Sequence, residues 1–241
     1  MAGFRLDRLL SASGKYTRSE AKDLIRKGKV TVDGVCVTKA ETKCEDLADI
    51  IVCGVPLNFR EYHYIMLNKP AGVLSATEDR RDTVALELLS EQYRALKLFP
   101  AGRLDKDAEG FLLLTNDGKL AHGLMSPRRH VDKCYYVRVA GSLDDTDCTA
   151  FEHGVIIDGD YQTMPAKLEI LKSGDESEAC VTVQEGRFHQ VKKMFLSRGK
   201  CVLYLKRLSI AGVRLDDALN PGEYRVLTEE EEAQMKREIE S

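Results

Sequence analysis

The chain has 241 residues, 36 Lys and Arg against 39 Asp and Glu, a net charge of −3, and 43% hydrophobic residues. That length suits one large domain or two modest ones, and the ordinary composition excludes collagen-like, low-complexity and disordered classes. No apolar run is long enough to span a membrane, the N-terminus lacks a signal-peptide layout, and the seven cysteines are never spaced C-x-x-C, so a cytoplasmic protein without disulfides or structural zinc is expected.

Leu6, Leu9 and Leu10 recur at helical spacing. A second helix is predicted from Thr17, with Glu20 as its capping-box partner, to Gly28. Residues 30–37 alternate β-formers around Asp33-Gly34, a hairpin signal, and a further strand covers 50–53. A small N-terminal α/β domain over 1–58 follows, with the polar stretch 58–61 as linker. From Tyr62 onward strands are predicted at 64–68, 111–115, 133–139, 155–158, 166–171, 178–184, 201–205 and 222–227. Helices are predicted near 83–89, 119–125, 144–152 and 189–198. Their irregular order predicts an α+β domain over 62–230, built on a mixed, mostly antiparallel sheet with flanking helices rather than a doubly wound one. An acidic helix over 229–241 begins at Thr228 with Glu231 as capping partner. Its four consecutive glutamates suit the positive helix N-terminus, which gives them a structural role and no catalytic one.

Charge is distributed unevenly. Residues 1–30 hold eight bases against three acids, residues 187–207 hold seven bases and no acid, and the last thirteen residues carry a net −4. Two acid-poor clusters read either as solvated faces or as the footprint of a polyanion partner. Residues 99–110 form a glycine-bounded loop feeding an apolar strand, with Asp105, Asp107 and Glu109 at every second position and Arg103 and Lys106 beside them. A functional carboxylate and a surface ion pair both fit that pattern. Residues 185–195 read as a strand end followed by a helix N-terminus with basic side chains, which suits phosphate; His189 there reads as a packing or RNA-contact residue. Tyr135 and Tyr136 point to opposite faces of a strand, so one can face a site. Lys69-Pro70-Ala71-Gly72 reads as an architectural turn. No dinucleotide, Walker, zincin or nucleophile-elbow motif is present, the five histidines have no ligand spacing, and a glycosidase is disfavoured by the absence of Trp.

Gly102-Arg103-Leu104-Asp105, running into residues 110–118, resembles the signature of the RsuA/RluB-type pseudouridine synthase family. Lys69-Pro70-x-Gly72, Lys133-x-Tyr135, Glu185-Gly186-Arg187 with Gln190-Val191, and Leu205-x-Arg207 match its other blocks in order. The first sixty residues resemble the small RNA-binding domain first seen in ribosomal protein four of the small subunit. The resemblance implies isomerisation of a specific uridine in ribosomal RNA, without cofactor or metal, with Asp105 as catalytic carboxylate and Arg187 as its basic partner. Tyr135 would stack on the uracil, which is flipped out of its helix, and Val191 would pack beneath it. Arg103, Leu104, Lys133, Lys192, Lys193 and Arg207, with Arg18, Lys22 and Arg26 of the N-terminal helix, are the implied RNA or substrate contacts. The wording of 188–194 is similar to enzymes acting on small-subunit (16S) ribosomal RNA, free or in an assembling subunit, and a monomer is expected. A large-subunit target, or an inactive RNA-binding assembly factor of the same fold, are the alternatives. Ala108 departs from the family's usual Thr or Ser.

Overall fold

Apolar continuity decides which strands lie in the middle of the sheet. Tyr64–Lys69 is buried along its whole length, as is Glu109–Thr115 after its first residue. Strands covered on both faces have no polar alternation to show. The computed structural model describes residues 4–13, 15–44, 48–57, 60–94 and 96–240. They fall into two units, Met1–His63 with Leu89–Leu98, and Tyr64–Leu88 with Phe99–Ser241. Of the expected linker, Asn58 and Phe59 lie outside the described residues.

In the smaller unit, helix Leu6–Ala12 buries Leu6, Leu9 and Leu10, as their spacing predicts. Helix Arg18–Arg26 opens on the expected capping box: the Thr17 amide donates to Glu20 Oε2 at 2.8 Å and the Glu20 amide to Thr17 Oγ1 at 3.2 Å. Ala21 and Ile25 face the core, while Arg18, Lys22 and Arg26, four residues apart, share the exposed side. Asp33 and Gly34, both with positive φ, turn strand Val30–Val32 into Val35–Cys36, and Ile50–Val52 pairs on the other side.

The larger unit is built on a nine-stranded sheet. Its main path runs Lys167–Lys172, Glu176–Val183, Lys133–Ala140, Cys201–Ile210, Glu109–Thr115, Tyr64–Lys69 and Tyr224–Val226. Neighbours are antiparallel except Glu109–Thr115 beside Cys201–Ile210, so the mostly antiparallel expectation holds. At that parallel seam Gly110 pairs with Arg207 and has φ +97°; a Cβ there would run into the Arg207 backbone, so only glycine fits. The pairing of Lys133–Ala140 with Cys201–Ile210 slips by one residue between Cys134 and Tyr135, a bulge beside the tyrosine. Two expectations need correcting. The helix near 83–89 is a single 3-10 turn, Ala85–Leu88, and the strand expected at 201–205 continues to Ile210. The short strand Phe99–Ala101 had no sequence signal because Pro100 reads as a breaker; it pairs at the sheet's edge with Glu109–Thr115, where a missing N–H is tolerated. The C-terminal helix, Glu229–Glu240, starts on the expected Thr228–Glu231 cap, and Glu231 also takes a bidentate contact from Arg225 at 2.7 and 2.8 Å.

Candidate active site

Asp105 lies on the loop between Phe99–Ala101 and Glu109–Thr115, and that loop is anchored through its backbone. Ser75 Oγ donates to the Leu104 carbonyl at 2.9 Å and accepts from the Leu104 amide at 3.0 Å. Lys69 Nζ, fully buried, donates to the carbonyls of Pro70, Lys106 and Ala108 at 2.9, 3.3 and 2.7 Å, while the Gly72 amide donates to the Lys106 carbonyl at 2.7 Å. The Lys69–Gly72 turn is therefore architecture, as expected. The Ala108 amide donates to the Asp105 carbonyl at 3.1 Å, closing a turn that separates Glu109 from the other two acids. Glu109 accepts from Tyr204 at 2.6 Å, while Asp105 and Asp107 share Lys192.

The cation at Asp105 differs from expectation. Lys192 Nζ is 3.1 Å from Asp105 Oδ2 and 2.7 Å from Asp107 Oδ1, and His189 Nε2 is 3.4 Å from Asp105 Oδ1. Arg187 lines the same cleft, but its guanidinium lies over the Tyr161 ring, 3.3 Å from the centroid. The reason is backbone geometry. His189 has φ +55° and turns the chain between Arg187 and helix Gln190–Ser197, so the helix presents Lys192 to the loop and buries Val191, Met194 and Phe195. Glu185, also buried, fixes this turn by accepting from Tyr161, the Met164 amide and Gln190 at 2.6, 2.9 and 2.8 Å. The hydrogen bond from Lys192 holds Asp107 below the usual carboxylate range, against a smaller effect of burial. Burial opposes the charge on Lys192, yet its bonds to Asp107 and Asp105 outweigh this and raise its pKa.

Tyr135 is buried and lines the cleft with Asp105, whereas Tyr136 on the opposite face bonds Glu178 at 2.7 Å. One tyrosine at the site and one away from it is what strand alternation required. Arg207 and Lys133, expected as RNA or substrate contacts, are 1% and 2% exposed and lie in the cleft wall. Arg207 donates through Nε to the Phe111 carbonyl at 2.7 Å and through Nη1 to the Tyr135 hydroxyl at 3.4 Å, and Lys133 donates to the Val131 carbonyl at 2.8 Å. A hydroxyl that accepts from Arg207 keeps its own proton free to donate elsewhere. Arg207 thus orients Tyr135. Lys193, also expected on phosphate, pairs with Asp158 at 2.7 Å. Arg103, exposed, and Leu104 line the cleft, which measures about 560 Å³, and an adjoining recess is lined by Val183, Val191 and Leu205. A cleft of this size, with charged groups at its rim and a smaller recess where Val183, Val191 and Leu205 meet Glu185 and Gln190, suits a single nucleotide.

Residues 63–197 match the family described as RNA pseudouridylate synthase, and residues 4–51 match the S4 domain. The chain belongs to the RNA pseudouridylate synthase family. This synthase is 49% identical over 230 residues to an uncharacterized RNA pseudouridine synthase, YtzG, of Bacillus subtilis (strain 168), covering 94% of this chain and 96% of that one. It is 40% identical over 231 residues to the ribosomal small subunit pseudouridine synthase A of Escherichia coli (strain K12), covering 94% and 97%. A crystal structure of a pseudouridylate synthase superimposes with a TM-score of 0.68 at 35% identity, over 96% of this chain and 99% of the other. No helix among the described residues is long and apolar enough to cross a membrane.

The buried cations of the synthase make its stability depend on pH. Burial, and then the charge of Arg207, push Lys133 down to about 8 from an ordinary 10.5. Between those values the unfolded chain binds more protons than the folded one, so this group's contribution to stability rises with pH. Relative to Lys133→Met, the wild type should gain about 2 kcal/mol between pH 7.5 and 10, read from urea midpoints. A difference that stays flat across that range would show that Lys133 titrates normally.

Proposed function

We propose that this RNA pseudouridine synthase acts on a uridine of small-subunit (16S) ribosomal RNA, with Asp105 as its catalytic carboxylate. The observation that carries the reading is the placement of Asp105, an oriented tyrosine and the side chains of Val191 and Leu205 around a single nucleotide-sized cleft and its adjoining recess. The small-subunit name of relatives that align over nearly the whole chain, and the wording of residues 188–194, favour the 16S target.

Pseudouridine formation breaks the bond from N1 of uracil to C1′ of ribose, turns the base, and joins C5 to C1′. The C5 proton leaves and N1 gains one, so the reaction is an isomerisation in which nothing is oxidised or reduced. Asp105 attacks or stabilises C1′ as the base departs, with Lys192 supplying its counter-charge. Tyr135 covers one face of the uracil and Val191 the recess beneath it, and the Tyr135 hydroxyl is placed to move a proton. A stacked uridine cannot reach such a recess, so the base is flipped at a cost of a few kcal/mol. Phosphate contacts from Arg18, Lys22 and Arg26 on the exposed face of the S4-domain helix help to offset that cost.

The test is to incubate the purified protein with transcripts of both ribosomal RNAs, naked and assembled with ribosomal proteins, and to map modification at single-nucleotide resolution. One new pseudouridine in the 16S RNA is expected, accompanied by tritium release from C5-labelled uridine. Modification confined to the large-subunit RNA would overturn the target, and no release from any of the four substrates would favour the inactive assembly factor.

A further inference from the structure

Phe188 is 69% exposed, although it lines the same cleft as Asp105. A phenylalanine ring in water forgoes the stabilisation that burial would give it. Nor is it loosely held. Its ring stacks on His189 with centroids 3.8 Å apart and planes inclined by 20°, and Lys193 Nζ is 5.3 Å from its centroid. His189 itself has φ +55°, a left-handed backbone that a non-glycine residue rarely adopts and that clusters at functional sites. Its imidazole Nε2 also lies 3.4 Å from Asp105 Oδ1. An exposed ring, an imidazole and a carboxylate therefore form one continuous row from the rim of the cleft to its centre.

A uridine turned out of its strand leaves the neighbouring base with an uncovered face. Aromatic side chains cover such faces, with little regard to base identity because every base has a π surface. Arg187, which lines the same cleft next to Phe188, carries a positive charge that suits the phosphate flanking such a base. We propose that Phe188, buttressed by His189, is the stacking platform for the nucleobase adjacent to the target uridine. The proposal rests on the reading of Asp105 as the reaction centre, because that fixes which nucleotide lies beside the ring.

The experiment uses full-length protein and oligoribonucleotides with one uridine in an adenosine tract, carrying 2-aminopurine immediately 5′ or 3′ of the uridine. The wild type should quench 2-aminopurine fluorescence at one of the two positions. Phe188→Ala should abolish that quench and weaken binding by about 5- to 100-fold, the equivalent of one stacked base. Phe188→Trp should restore both. In tritium-release assays on the mapped ribosomal RNA, Phe188→Ala should raise KM with kcat unchanged, since the stack is the same in ground and transition states. An equal quench in Phe188→Ala, no quench in the wild type, or full affinity in Phe188→Leu would each overturn the platform. Failure of the Asp105 reading has a different signature, turnover by Asp105→Asn, and the fluorescence readout does not depend on it.

Discussion

Asp105→Asn is expected to abolish pseudouridine formation, with a fall of at least about 10³-fold in tritium release, the scale on which loss of a covalent catalyst is measured. The amide keeps the size and shape of the carboxylate, and its single carbonyl oxygen can still accept from Lys192, which stands 3.1 Å from Asp105 Oδ2, while the NH2 takes the place of Oδ1 beside His189. The loop is held through the backbone of Leu104, Lys106 and Ala108 by Ser75 and Lys69, none of which touches the Asp105 side chain. The fold and the cleft should therefore survive, and RNA affinity should stay within about tenfold, because most of it comes from phosphate contacts made elsewhere. Calorimetry and filter binding on the variant separate these outcomes from misfolding. Turnover by a folded Asp105→Asn protein would remove Asp105 from the chemistry.

Local signals carried far in this chain. Capping boxes at Thr17 and Thr228, the Asp33-Gly34 turn and the apolar run at 111–114 all depend on residues within a few positions of one another, and each appears where its pattern placed it. The opposed faces of Tyr135 and Tyr136 follow from strand geometry alone. The misread residues depend instead on register and on single backbone torsions. Arg207, a cation in a basic stretch, gives no local sign of burial until pairing sets its backbone against Gly110, where no Cβ would fit, and its guanidinium against the Phe111 carbonyl. Pairing on the other side of the same strand, with Lys133–Ala140, carries Arg207 to the Tyr135 hydroxyl across 72 positions of sequence. Ser75 gives no local hint that it clamps the Asp105 loop, because its partner is 29 residues away. Arg187 and Lys192 were equally available to Asp105 in sequence. The left-handed turn at His189 separates them, and the modest enrichment of histidine in that conformation does not single out this position among the five histidines.

That separation predicts different outcomes for the two cations. Lys192 bridges two carboxylates, Asp105 and Asp107, and is only a quarter exposed. Lys192→Met would leave like charges facing each other, which raises the pKa of whichever carboxylate gains a proton first. Asp107, held low chiefly by its hydrogen bond from Lys192, loses that support. Activity should fall by about 10²-fold, the usual effect of deleting one charged group that stabilises a reacting centre. The acidic limb of the pH–rate profile should also move to higher pH, because a carboxylate with a raised pKa is protonated over more of the acid range. Lys192→Arg keeps the charge and should restore most of the rate with the limb near its original place. Arg187→Ala removes a guanidinium that lies on Tyr161, so it should cost less and leave the acidic limb where it is. The opposite pattern, a shifted limb in Arg187→Ala and none in Lys192→Met, would mean that bound RNA draws Arg187 off Tyr161 and onto Asp105, and that Lys192 serves the carboxylate only in the free protein.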